Sequence, residues 1–369
     1  MKNIEQIDPN FKPAKITAED VEFYDCRSEF FELHGFYKPY KSERFSRLPA
    51  DFATGDEVNE GVRQLMFNTA GGRVRFVTDS PYIAIAADVD GEGAMQHLTG
   101  ICQFGFDMYA ADINDRNNPI YKISFFPTLD SSSKNSTYDG FFEFDDIKMR
   151  EITINFPMYT NVNKLMIGLK EGCTVKKPEP YSISKPVVFY GSSISQGGCA
   201  TRPGNVYTAL LSRWLDADHI NLGFSGSDRG ETALAKHIAN LEMSAFVYAY
   251  GHNAPSIEHY RNTHYPFYKI VRDKNPLLPI IIMSPPICPQ IRTAYIIERH
   301  TLRRSIAMST YLKALEEGDR NVYFVDGFSV MPNTEPQECT VDGCHPNDHG
   351  FYSIAKALYP VLETVLKNL

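Results

Sequence analysis

A serine hydroxyl attacks a carbonyl only when a neighbouring base takes its proton, and an imidazole of near-neutral pKa suits that task. Two stretches of this sequence could supply such a pair. The first, Gly191-Ser192-Ser193-Ile194-Ser195-Gln196-Gly197-Gly198, directly follows an apolar strand candidate, Val187 to Tyr190, and its glycines permit a tight strand-to-helix turn that exposes a side chain. The second, Asp342-Gly343-Cys344-His345-Pro346, stands just ahead of the terminal helix. Asp and His three apart on a tight loop can touch, so Asp342 could orient His345 and stabilise its protonated form while His345 serves Ser193. Other uses of the glycine-rich stretch fail on its own residues. A phosphate-binding loop needs Lys and then Ser or Thr after the closing glycine, where Gly198 and Cys199 stand. A dinucleotide fingerprint needs G-x-G-x-x-G, which is absent, and the α/β-hydrolase elbow needs G-x-S-x-G, whose last position is Ser195.

Acyl chemistry at Ser193 also needs donors for the oxyanion of a tetrahedral intermediate. Asn221-Leu222-Gly223-Phe224-Ser225-Gly226 and Gly251-His252-Asn253-Ala254-Pro255 each end a strand candidate, so the Gly226 N–H and the Asn253 amide could join the N–H of Ser193. Each segment alone has a plainer meaning: a strand-helix turn, a helix cap with a surface His, a turn residue, a helix-start Gly. Their joint order argues for catalysis. His252 and His349 read as loop-supporting or solvated, Cys344 as packing, and Arg202, Arg229 and Tyr250 as residues that can border a cleft without a role. No HExxH or CxxC motif occurs, so neither a metal nor any other cofactor is expected.

The elements around these residues change character along the chain. Between about residues 20 and 170 there are short β-branched or alternating runs: Val74–Thr78, Tyr82–Ala86, Tyr121–Phe126, Glu151–Phe156 and Lys164–Leu169. Turn signals separate them, among them Asp90-Gly91 and the polar stretch Asp130 to Asp139, and the pattern predicts an antiparallel β-sandwich of jelly-roll or immunoglobulin-like kind. Lys176-Lys177-Pro178-Glu179-Pro180 suits a linker. After it, strand candidates at Val187–Tyr190, His219–Leu222, Ala245–Tyr250, Ile280–Met283 and Val322–Val325 alternate with helical stretches near 204–215, 229–241, 256–274, 297–317 and 348–367. That alternation predicts an α/β domain with a parallel sheet covered on both faces, whose ligands belong at the strands' C-terminal ends. The last helix carries an apolar stripe of Phe351, Ile354, Ala355, Leu358, Leu362 and Val365, which Pro360 should kink or interrupt. The segment from Pro285 to Arg304, with Ile291, Tyr295 and Ile296, could form a lid or a partner surface.

With 369 residues the chain exceeds what one core usually serves, so two domains are expected, at 1–175 and 183–369. Apolar residues make up 43% and charged residues 22%, an ordinary globular balance. The net charge of −8 and the lack of a Lys/Arg run argue against nucleic acid, and no apolar run reaches membrane-spanning length. Seven scattered cysteines do not form a disulfide scaffold. The first residues lack the apolar core of a signal peptide, which read literally means a cytoplasmic protein; a secreted or periplasmic one with its leader removed would read the same. Oligomeric state is not legible.

Taken in order, Ser193, Gly226, Asn253 and His345, with Asp342 three residues before the His, resemble the four blocks of the SGNH (GDSL) hydrolase superfamily over roughly residues 183 to 369. The resemblance implies a flavodoxin-like three-layer α/β/α fold and a metal-free Ser-His-Asp mechanism that cleaves carboxylic esters. Gly105-Phe106-Asp107-Met108-Tyr109 resembles the GxDLY element of a domain found before certain SGNH esterases, and Arg47-Leu48-Pro49 and Thr78-Asp79-Ser80-Pro81 also fit it. This implies a β-sandwich packed against the catalytic domain. Such esterases make an acetyl ester of a carbohydrate the expected substrate, with acyl transfer, or carbohydrate binding beside a silent hydrolase domain, as alternatives. Two departures stand out. Block one reads Gly191-Ser192-Ser193 without its Asp, and block three reads Gly251-His252-Asn253-Ala254, where loss of an Asp should cost the loop a support.

Overall fold

The computed structural model describes residue 8 and residues 15–90, 95–127, 135–332 and 335–367. Its first half is built from two antiparallel sheets. Strands β1 (Val21–Asp25), β4 (Tyr82–Asp90), β7 (Asn135–Glu143) and β9 (Val162–Lys170) form one, in the order β1-β9-β4-β7. The other contains β2 (Glu32–His34), β3 (Arg73–Thr78), β5 (Phe106–Asp112), β6 (Ile120–Phe125), β8 (Arg150–Asn155) and β10 (Val175–Lys176), in the order β10-β3-β8-β5-β6 with β2 on β3. Side chains alternate across a strand, so Val74, Phe76, Ile152, Ile154, Phe106 and Met108 meet Ile83, Ile85, Leu165 and Ile167 in a core between the sheets. The alternate positions of β3 are Arg73 and Arg75, which are 2% and 1% exposed because the outer face of this sheet abuts the second half of the chain.

That second half holds a five-stranded parallel sheet of β11 (Ile183–Gly191), β12 (Ala217–Gly223), β13 (Ala245–Ala249), β14 (Ile280–Met283) and β15 (Val322–Val325), in the order β12-β11-β13-β14-β15. This is the 2-1-3-4-5 order of flavodoxin-like folds, and its switch point lies between β11 and β13. Val187 and Phe189 pack with α4 (Tyr207–Leu215) and α8 (Asp348–Leu366) on one face. Val188 and Tyr190 pack with α5 (Thr232–Ala239), α6 (Ile257–Lys274) and α7 (Ala294–Glu316) on the other. Three short helices complete the order of elements: α1 (Glu60–Leu65), α2 (Gly100–Phe104) and α3 (Ser193–Gln196). Among the described residues no helix is long and apolar enough to cross a membrane.

The architecture is the one the sequence predicts, with local corrections. The polar stretch expected as a turn through Asp139 ends earlier, since β7 starts at Asn135 and pairs with β4 over nine positions; its residues 130–134, like Gly91, lie outside the described residues. The linker begins as strand β10 on the edge of β3. Helix α8 runs unbroken through Pro360, which is exposed, as is Lys356 one turn earlier, so the carbonyl that loses its donor faces water. The segment from Pro285 to Arg304 supplies the first turns of α7, with Ile291 against the core and Tyr295 65% exposed.

Candidate active site

Strand β11 ends at Gly191, and Ser192 caps α3 by accepting the Ile194 N–H at 3.2 Å. Ser193 is the first residue of that helix, so its own N–H has no partner within it. Its side chain stands at the C-terminal edge of the sheet, at the switch point. The Oγ lies 2.9 Å from Nε2 of His345, and Nδ1 of His345 lies 2.7 Å from Oδ2 of Asp342. Asp342 Oδ1 accepts the N–H groups of Cys344 and His345 at 2.9 and 2.8 Å. Burial alone would raise the Asp342 carboxyl, but the hydrogen bonds from the His345 ring and the two N–H groups outweigh it and hold the pKa at about 2. Asp342 is thus a firm acceptor for the Nδ1 proton, which leaves Nε2 free to take one from Ser193.

The loop bearing Asp342 and His345 is fixed at both ends. Val341 N–H donates to His345 carbonyl at 3.0 Å, and Asn347 caps α8 by accepting from Gly350 N–H at 3.1 Å. Asp348 accepts the Thr201 N–H at 2.8 Å and the Asn205 amide at 2.7 Å, tying the start of α8 to the loop that follows α3.

Gly226 has φ +67° and open space where a Cβ would stand, and its N–H makes no hydrogen bond among the described residues. The turn before it is held by Ser225 N–H to Gln196 Oε1, 2.9 Å. Buried Arg47 donates to the carbonyls of Asn221 and Gly223 at 3.1 and 2.6 Å and to that of Leu65 at 2.6 Å; burial lowers its pKa to about 9.

Asn253 follows Gly251 at the end of β13, and its Oδ1 is buried without a partner. The support that Ala254 cannot give this loop comes from Asp228, a residue the sequence reading passed over. Its carboxyl accepts the Gly251 N–H at 3.1 Å through Oδ2, while Oδ1 is buried without a partner. Complete burial, the dominant influence, raises the Asp228 pKa well above its ordinary value despite that bond. No motif spacing marks Asp228; an Asp two residues after the block-two glycine was the available signal.

The remaining candidates sort by contact. His252 is enclosed against the His300 ring, 5.2 Å between centroids, and burial first, then the charges of His300 and Arg303, lower its pKa well below the usual value. His349 is exposed, and burial raises the Cys344 thiol. Arg202 is ion-paired with Asp107 at 2.9 Å, Arg229 is exposed, and Tyr250 is buried with its hydroxyl donating to the Arg229 carbonyl.

The sandwich half reaches this site directly. Tyr159 donates to the Ser193 carbonyl at 3.3 Å, and Gln196 donates to the Met158 carbonyl at 3.1 Å. Asp107 of the Gly105–Tyr109 segment is fully buried and accepts from Arg202, from Gly204 N–H at 2.8 Å and from the Asn155 amide at 2.8 Å. It therefore fixes the loop that leads away from Ser193.

Comparison with known proteins gives the family. The profile of the GDSL-like lipase/acylhydrolase family matches residues 184–363, and that of the GxDLY domain, the N-terminus of SGNH-hydrolase-type esterases, matches residues 21–175. No curated protein sequence matches the chain. Among solved structures, a GDSL-like lipase from Bacteroides ovatus superposes with a TM-score of 0.83 at 26% identity, covering 94% of this chain and 98% of that one. The salicylyl-acyltransferase SsfX3 from a tetracycline biosynthetic pathway gives 0.75 at 18% identity with the same coverage. A family two carbohydrate esterase from Cellvibrio japonicus gives 0.57 at 14%, again covering 94% and 98%. The last two likenesses are likenesses of fold. The chain belongs to the GDSL-like lipase/acylhydrolase (SGNH) family, with a GxDLY domain ahead of its catalytic part, and is an ester hydrolase.

Proposed function

We propose that the chain is a serine O-acylesterase whose substrate is a small acyl ester, an acetyl group on a carbohydrate. Ser193 attacks the carbonyl, His345 takes the hydroxyl proton and returns it to the leaving alcohol, and Asp342 orients and stabilises the imidazolium. The N–H groups of Ser193 and Gly226 and the Asn253 amide receive the oxyanion. Water, deprotonated by His345, then releases the acid. The observation that carries this reading is the unbroken relay from Oγ to Nε2 at 2.9 Å and from Nδ1 to carboxylate at 2.7 Å. The carbohydrate part rests on the likeness to carbohydrate esterases. In the same reading the chain divides at 1–175 and 183–369, with the sandwich buttressing the site.

The test is Ser193→Ala. It should abolish hydrolysis of p-nitrophenyl acetate and labelling by a fluorophosphonate probe while the melting temperature changes little; retained turnover would sink the assignment. A screen of acetylated oligosaccharides against longer acyl esters tests the substrate class. The likeness to an acyltransferase over 94% of the chain keeps a second reading in play, in which an alcohol replaces water on the same acyl-enzyme. Product analysis with and without candidate acceptors decides between them.

A further inference from the structure

A second polar centre lies where the two halves meet, around the N-terminal part of β12 and so at the opposite end of that strand from the Gly226 turn. It is a cavity of about 40 Å³ between β3 and β8 on one side and α4 and β12 on the other. Arg75 and His219 face it, 1% and 2% exposed. Arg75 Nη1, Arg213 Nη1 and both ring nitrogens of His219 are buried with no hydrogen-bond partner; Glu151 Oε2 is likewise unpartnered. Buried polar groups are normally satisfied, so this concentration of orphans in one small space calls for an occupant.

The charges show what kind. Arg73 pairs with Asp218, Arg75 with Glu151, Arg116 with Asp216 and Arg202 with Asp107. Arg213 is left over. It lies over the Tyr109 ring at 4.2 Å and has no acidic partner among the described residues. A guanidinium keeps its proton in proteins, and an uncompensated charge away from water is expensive. Water could bridge Arg75 and Glu151 but would leave Arg213 with only the more distant charge of Asp107, which Arg202 already pairs. The space exceeds roughly threefold what one water requires, which suits a halide or a single carboxylate group and is too small for a nucleotide or a sugar phosphate.

We propose that this cavity binds a small monoanion, a halide or a carboxylate, held by Arg213 and Arg75 with an N–H of His219, and that the anion fastens the sandwich to the catalytic half. The site is independent of the ester chemistry at Ser193. Burial keeps His219 neutral, so one of its nitrogens remains a donor without adding a second charge.

The experiment uses the full chain at constant ionic strength, replacing gluconate, which cannot enter, by bromide or by acetate. A saturable rise in melting temperature of about 2–5 °C is expected with an anion that fits. Comparing the two salts separates halide from carboxylate. Arg213→Met should remove the rise and leave ester turnover within about twofold. Crystals of the unaltered protein in bromide should show an anomalous peak within hydrogen-bond distance of Arg213 and Arg75, a result that stands even if the variant fails to fold. Equal melting temperatures in all three salts, or only water in the cavity of crystals at saturating bromide and again at saturating acetate, would overturn the proposal.

Discussion

Two carboxyls around the candidate site are shifted in opposite directions, and their environments explain why. Asp342 receives three hydrogen bonds at a loop open to solvent and ionises at about 2. Its folded pKa lies below the ordinary 3.8, so it contributes stability above that value and loses it as pH falls from near 4 towards 2. Asp228 is buried and its pKa is raised, so as pH rises above 3.8 the folded protein gives up this proton later than the unfolded chain does. Its contribution is present below the unfolded pKa and is lost as pH rises through the folded one. Asp228→Asn keeps an acceptor for the Gly251 N–H and has nothing to ionise. We therefore expect it to retain kcat within about threefold and, in urea titrations, to gain stability relative to the native protein as pH rises above the ordinary carboxylate value of 3.8. Asp228→Ala frees the Asn253 loop and should lower kcat roughly 10- to 100-fold, the effect of a shift of about 1 Å in a catalytic group. Equal losses in both variants would show that the loop does not depend on this acceptor.

At the scale of elements, the site was legible wherever chemistry and local pattern coincide, and illegible where the other half of the chain decides. Ser193, Asp342 and His345 stand in short motifs beside strands and a helix with clear periodicity, and the five parallel strands follow from apolar runs. Arg75 lies in the predicted run Val74–Thr78 and Arg73 just before it, and both are buried, because alternation records a polar face without saying whether water or a second domain meets it. Strand β7 is hidden for a similar reason: its pairing to β4 overrides a start that has turn composition. The role of Asp107 also emerges only in space. It holds Arg202 and Gly204, far away in the sequence, so Asp107→Ala leaves a partly buried guanidinium and two donors unpaired. A loss of about 3–5 kcal/mol is expected in equilibrium unfolding, the cost of breaking a buried pair on one side. Asp107→Asn, which still accepts hydrogen bonds, should lose less than half of that; equal losses would remove the charge pairing from the explanation.

Across the whole molecule, the two sheet systems share their apolar interiors. Leu48, Val58, Val62 and Met66, all from the first half, are 3% exposed or less and pack with Tyr190, Phe224 and Leu234 of the catalytic half. Ala70, Cys102 and Met158 join the cluster on the opposite face of the parallel sheet. Separating the halves would expose these side chains to water at about 25 cal/mol per Å² and would also strip Arg47 of the carbonyls it binds. The prediction is one cooperative unfolding transition despite two architectures. The single tryptophan of the chain, Trp214, is a clean probe because it lies on α4 and reports only the catalytic half. Far-ultraviolet circular dichroism reports both halves. Their urea midpoints should coincide, as two-state behaviour requires. Arg47→Met should shift both curves together, by about 2–4 kcal/mol for the charged hydrogen bonds lost, since the guanidinium serves Leu65 on one side and Asn221 and Gly223 on the other. A dichroism change that precedes the Trp214 signal would instead mean that the sandwich melts alone, and the shared core would then not couple the GxDLY domain to the ester-cleaving one.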